Sequence, residues 1–158
     1  MPHLIRALAA VLAIAALVAA CQSLPVVASL VPAAGPLVSV SVHGGECVGG
    51  PCGGTMVFER DGRIHQTEPA PTELGQLPDD VLVALDAAVK TTDFDVIRAR
   101  PFTGECPVNF DGQETIYEFA TPSGIERLES CQSEIDPAHP LFAALTNAMQ
   151  AVLRAEPT

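Results

Sequence analysis

The chain of 158 residues predicts an α+β fold: an antiparallel sheet of about five strands with two amphipathic helices on one face, stapled by disulfides. Three observations carry this. Two stretches place β-forming residues on either side of strong turn sequences, as hairpins do. Two others space their apolar residues at three and four, as helices with one buried face do. Cys47, Cys52, Cys106 and Cys131 form an even set in the same part of the chain.

The elements follow in order. Leu37-Val38-Ser39-Val40-Ser41-Val42 alternates strictly, which predicts a strand with its valines toward a core and its serines outward. Residues 44–54 hold six glycines and Pro51, too many breakers for a regular element, so they are read as loop. Thr55 to Arg60 sets Met56 and Phe58 on one face, Asp61-Gly62 turns the chain, and Ile64 to Thr67 returns antiparallel. Glu68 to Leu77, with Pro69, Pro71 and Gly75, reads as connector.

Asp79 to Lys90 carries Val81, Leu82, Leu85, Ala88 and Val89 at helical spacing, with acids at its start and Lys90 at its end to suit the helix dipole. Thr91 to Arg100 fits a short helical turn through Phe94 and Ile97 or a strand through Phe94 and Val96. Thr115 to Ala120 and Gly124 to Cys131 flank Thr121-Pro122-Ser123, a second hairpin that brings Tyr117 and Phe119 against Ile125 or Leu128. A last helix after Asp136-Pro137 runs to about Leu153 and buries Leu141, Leu145, Ala148, Met149 and Val152, with an irregular first turn at Pro140.

Residues 1–20 have the layout of a secretory signal peptide: His3 and Arg6, then an unbroken apolar run from Ala7 to Ala20. A membrane span needs about 20 apolar residues, so this run is too short to be a comfortable one. It ends in Val18-Ala19-Ala20-Cys21, which resembles the lipobox of bacterial lipoproteins, although Val18 stands where leucine is commoner. The resemblance implies cleavage after Ala20, a thioether-linked diacylglyceryl group on Cys21, and a further amide-linked acyl chain such as palmitate. Two or more acyl chains make stable anchorage physically reasonable. The implied location is the cell envelope, on the extracytoplasmic side of a plasma or outer membrane, and Gln22 does not favour retention in an inner membrane. Residues 21–36, uncharged and broken by Pro25, Pro32 and Pro36, then form an extended tether, and residues 37–155 a single domain.

Cysteine use agrees with export. The chain has five cysteines, and assigning Cys21 to lipid leaves an even set that permits three pairings. The favoured pairing joins Cys47 to Cys52 within the glycine-rich loop and Cys106 to Cys131 across about 24 residues, the longer loop gaining about 3 kcal/mol in the chain-entropy account. Loss of residues 1–20 removes Arg6 and no acid, so the net charge moves from −11 to −12. Such a surface repels nucleic acid and anionic headgroups, leaving the lipid on Cys21 as the membrane contact.

The stretch Phe102-Thr103-Gly104-Glu105-Cys106-Pro107, with Asp111-Gly112-Gln113-Glu114, Ser130-Cys131 and Pro140-Leu141-Phe142, resembles uncharacterised domains found in secreted proteins and lipoproteins of high-GC bacteria. The likeness covers most of residues 37–153 and implies no activity.

Few residues point to chemistry. His43, Cys47, Cys52 and His65 are zinc-ligand types, but an oxidising compartment favours a disulfide over a metal, and no metal is expected. Asn109, Asp111 and Glu114 resemble only a fragment of a calcium loop and are read as an Asp-Gly turn before a strand. Asp93, Asp95, Arg98 and Arg100 read as a surface ion-pair cluster that could orient a polar ligand near Phe94 and Phe102. Asp79 and Asp80 are explained by their place in a helix's first turn. No nucleophile elbow, zinc helix, phosphate loop or dinucleotide glycine pattern occurs.

The expectation is therefore a non-enzymatic envelope lipoprotein, without cofactor, that binds another envelope protein or a small molecule. Its candidate contacts are His43 and Glu46 in the 43–54 loop, and Arg98 and Arg100. The alternative is an envelope hydrolase whose groups converge only on folding, joining His43 or His65 to a carboxylate.

Overall fold

The alternation of Pro36–His43 makes it the central strand, β1, of a computed structural model that describes residues 35–47 and 50–155. The expected signal peptide 1–20, Cys21 and the tether through residue 34 lie outside the described residues.

β1 is flanked by β4 (Gly54–Glu59) and β7 (Glu114–Thr121), each antiparallel to it. The first hairpin adds β5 (Arg63–Glu68), followed outward by β6 (Thr72–Gln76), and the second adds β8 (Gly124–Glu129). The six strands lie in the order β6-β5-β4-β1-β7-β8. Three helices complete the fold: α1 (Asp79–Thr91), α2 (Phe94–Arg98) and α3 (Pro140–Ala155), with a 3-10 turn at Pro107–Phe110.

Strand register explains the core. Phe58, Val38 and Phe119 are directly opposite one another across β4, β1 and β7, and all are fully buried. The next row along the same face is Met56, Val40, Tyr117 and Leu128. Against this face pack Leu85 and Val89 of α1, Phe94 and Ile97 of α2, and Leu141, Phe142, Leu145, Ala148 and Val152 of α3, forming one apolar cluster. The Phe119 ring lies 5.5 Å from Phe94 and 6.4 Å from Phe142, within the range of favourable aromatic pairs. The helices therefore share one side of the sheet. The other side carries Ser39, Ser41, Thr55, Val57, Glu59, His65, Glu118 and Arg127.

The sheet has six strands rather than five because β6 replaces the expected connector. Thr72-Glu73-Leu74-Gly75-Gln76 has one large apolar residue and so no alternation to read. An edge position needs none, and the register shift between Ile64 and His65 accommodates it beside Gly75. The glycine-rich loop, expected to be irregular, contains a two-residue ladder between β2 (Glu46–Cys47) and β3 (Gly50–Pro51).

The ambiguous segment 91–100 resolves as helix. The Asp93 side chain accepts the Asp95 N–H at 3.1 Å, which starts α2, and Phe94 and Ile97 are buried while Val96 faces water. In the second hairpin Leu128 is the partner of Tyr117, whereas Ile125 pairs with Ala120 and is exposed. β8 stops at Glu129, because Gln132 and Ser133 turn back to its carbonyl. Pro140 begins α3 instead of disturbing it, since a first helical residue has no need of its N–H. His139 prepares that start: its Nδ1 accepts the Leu141 N–H at 3.2 Å and its carbonyl the Ala143 N–H at 2.9 Å. Met149, expected in the buried stripe, is 37% exposed at the margin of the core.

Candidate functional site

The two ends of the sheet are built differently. At the end where β1 finishes, Cys47 and Cys52 are bonded with a Cα separation of 5.1 Å, and the Cys52 N–H donates to the Gly45 carbonyl at 3.2 Å. A second disulfide, Cys106–Cys131 with a Cα separation of 5.2 Å, clips the segment before β7 to the turn after β8. The expected pairing is thus the observed one. Between Cys106 and β7 the 3-10 turn closes through the left-handed Asp111 at φ 59°, with the Gly112 N–H donating to the Pro107 carbonyl at 2.8 Å.

These two stapled segments abut backbone to backbone. A Cβ on Gly44 would stand 2.7 Å from Val108 Cγ1 and 2.8 Å from the Gly112 carbonyl oxygen. Gly44 and Gly45 also have φ of +87° and +76°, conformations that favour glycine. The glycines therefore permit both the turn and the close approach. The segment they support presents Val108, 39% exposed, and Phe110, 65% exposed. At the same end of the sheet, Val40, Val42, Met56 and Met149 line an open apolar hollow of about 200 Å³ rimmed by Gly53, Gly54, Thr55 and Gln66.

His43 and Glu46, expected contacts, are both exposed here, with His43 opposite Glu114 in the β1–β7 ladder. Glu114 turns toward protein: its Oε1 accepts the Cys131 N–H at 3.3 Å, which uses the carboxylate that a calcium loop would need. Cys106, Cys131 and Glu114 are close enough to suggest a metal cluster, but the sulfurs are bonded to each other and offer no thiolate. The same holds for Cys47 and Cys52.

The opposite end holds a polar cleft of about 380 Å³, formed by the end of α1, the start of α2 and the β7–β8 turn. Arg98, a third expected contact, lines it. Its guanidinium bonds to Glu126 and, at 3.2 Å, to Asp95, and these carboxylates hold its pKa above the usual arginine value. Asp93 is spent on the α2 cap. Arg100, the fourth, pairs with Asp136 at 3.3 Å beside a separate small hollow that includes Val96 and Phe142. The structure therefore brings His43 and Glu46 to one end and leaves Arg98 and Arg100 in different places, each neutralised by carboxylates.

On the helix-free face Glu59, 8% exposed, lies beside His65, with Glu59 Oε1 3.9 Å from His65 Nδ1. That gap is too long for a hydrogen bond. Glu59 Oε2 and His65 Nδ1 are buried without a hydrogen-bond partner among the described residues. Among the described residues, neither the polar cleft, the methionine-lined hollow nor the hollow beside Arg100 is lined by His43, His65 or Glu59.

Phe110, Val108 and the methionine-lined hollow belong to no recognisable sequence motif. The available signal was an apolar residue set among turn formers in Pro107-Val108-Asn109-Phe110-Asp111-Gly112, where a core role is hard to arrange. No protein-family model matches the chain, and the comparison with curated proteins found no match.

Proposed function

We propose that the chain is an exported lipoprotein, held to a membrane of the cell envelope through acyl chains on Cys21, whose domain is a non-enzymatic binding module. The membrane half of this reading rests on the layout of residues 1–20 and the lipobox-like Val18-Ala19-Ala20-Cys21. The binding half is supported by one observation above the rest: two disulfides and a pair of left-handed glycines fix exposed side chains at one end of the sheet. Rigid presentation lowers the entropy cost of association. The test is replacement of residues 47–52 by a short turn in the full chain, followed by crosslinking in cells. The reading expects envelope crosslinks to be lost, and their complete retention would refute the contact assignment.

The adjacency of Glu59 and His65, each with a buried polar atom lacking a hydrogen-bond partner, favours a second reading, an envelope hydrolase using that pair for general acid–base work. It predicts hydrolysis of ester, amide or phosphoester probes that His65→Ala abolishes. Equal turnover by the His65→Ala chain would eliminate it.

A further inference from the structure

We infer that the disulfide end of the sheet docks a protein segment that is apolar and basic together, an inference that rests on the binding-module reading and names its partner. Two apolar features lie at this end: the Val108–Phe110 projection and the hollow lined by Val42, Met56 and Met149. A solvated aromatic held on a disulfide-clipped turn against Gly44 is a pre-ordered anchor, and methionines adapt to the shape of an inserted side chain.

Charge selects the occupant. Residues 43–54 and 105–114 contain Glu46, Glu105, Asp111 and Glu114 and no lysine or arginine. None of these four acids is ion-paired to a lysine or arginine among the described residues. At the other end, by contrast, Arg60, Arg63, Lys90 and Arg98 each meet a carboxylate. Apolar features set in an end of the sheet whose loops carry acids and no bases attract a segment in which leucine- or methionine-like side chains alternate with lysine or arginine, and they repel an anionic bilayer.

The probe is a short synthetic peptide of leucine and lysine, with a leucine and glutamate peptide as its control. The protein is the mature chain carrying Cys21→Ser, secreted behind an ordinary cleavable signal so that no lipid competes for the peptide. Amide NMR titration should move Gly44, Gly45, Gly53, Gly54 and residues 108–112. Phe110→Ser should weaken binding about tenfold without lowering Tm, and the glutamate peptide should not bind. Shifts scattered over the other acidic faces, or unchanged affinity in Phe110→Ser, would overturn the inference.

A photo-crosslinking residue placed at position 110 or at position 123 of the full lipoprotein in cells separates the failures. Protein adducts from 110 at sites that the leucine and lysine peptide competes for support the inference. Lipid adducts from 110, or protein adducts from 123 alone, overturn it and leave the binding-module reading standing. Adducts from neither position overturn both.

Discussion

Gly44 and Val108 occupy space that only one side chain can fill: a Cβ at position 44 would fall 2.7 Å from Val108 Cγ1. This contact couples two segments far apart in sequence, and it makes the candidate surface a joint product of the β1–β4 loop and the turn before β7. Gly44→Ala should therefore cost about 2–3 kcal/mol, part from φ and part from the clash. Gly124→Ala is a clash-free comparison, because Gly124 has a positive φ of +137° with nothing within 4 Å of its added Cβ, so its loss reflects backbone strain alone. That control should lose about 1 kcal/mol. Urea melts of the two variants check the difference, and equal losses would mean that the close approach contributes nothing.

The two disulfides should differ in what they stabilise. Replacing Cys106 and Cys131 by serine opens a loop with a sequence separation of 25 and should lower stability by about 3 kcal/mol. Replacing Cys47 and Cys52 opens a separation of only 5, so global stability should change far less while amide exchange in the 43–54 loop accelerates. Thermal melts and hydrogen exchange on the paired variants read the two effects separately.

Burial predicts a sharp contrast within the second hairpin. Phe119 is fully buried among Phe94, Tyr117 and Phe142, and Phe119→Ala should cost about 3–5 kcal/mol. Ile125 is 65% exposed on the neighbouring strand, and Ile125→Ala should stay within about 0.5 kcal/mol. Denaturant midpoints at constant m-value decide the matter.

Tyr117 gives a pH dependence with a definite sign. Burial raises its phenol pKa above the ordinary value of 10.0, so the folded state favours the neutral ring more than the unfolded chain does. Stability from this group is complete below about pH 10 and is lost as pH rises through the folded value. It is the chain's single tyrosine, so phenolate absorbance in folded and unfolded protein reports both pKa values directly. Tyr117→Phe should remove this component of alkaline destabilisation.

What was legible in the sequence follows from how each element is stabilised. β1, β4 and β7 declare themselves because large apolar residues recur at every second position toward the helices, Val38 and Val40, Met56 and Phe58, Tyr117 and Phe119, even though Val57 and Glu59 on the other face are buried too. α1 and α3 are legible for the same reason at a different period. β6 was not, since its pairing comes from backbone hydrogen bonds to β5 and hardly from side-chain burial. Pro140 misled because proline reads as a breaker until its position as the first helical residue is known.

The candidate surface was legible only in halves. The cysteine pairs, His43 and Glu46 could be named from composition and spacing. The meeting of Gly44 with Val108 depends on the β1–β7 register, His43 opposite Glu114, and no local pattern encodes that. Arg98 and Arg100 looked like one cluster because they are two residues apart. On leaving the short helix α2 they diverge, one toward Glu126 and the other toward Asp136.

The five cysteine sulfur atoms are expected to have two fates, acylation at Cys21 and disulfide bonding at the other four. Intact mass spectrometry of the protein isolated from membranes, alkylated before and after reduction, addresses all five together. The expected mass is that of a chain beginning at Cys21 and carrying diacylglyceryl and acyl groups, with no alkylation before reduction and four additions after it. A full-length, unacylated polypeptide that takes up five alkyl groups without reductant would contradict the account.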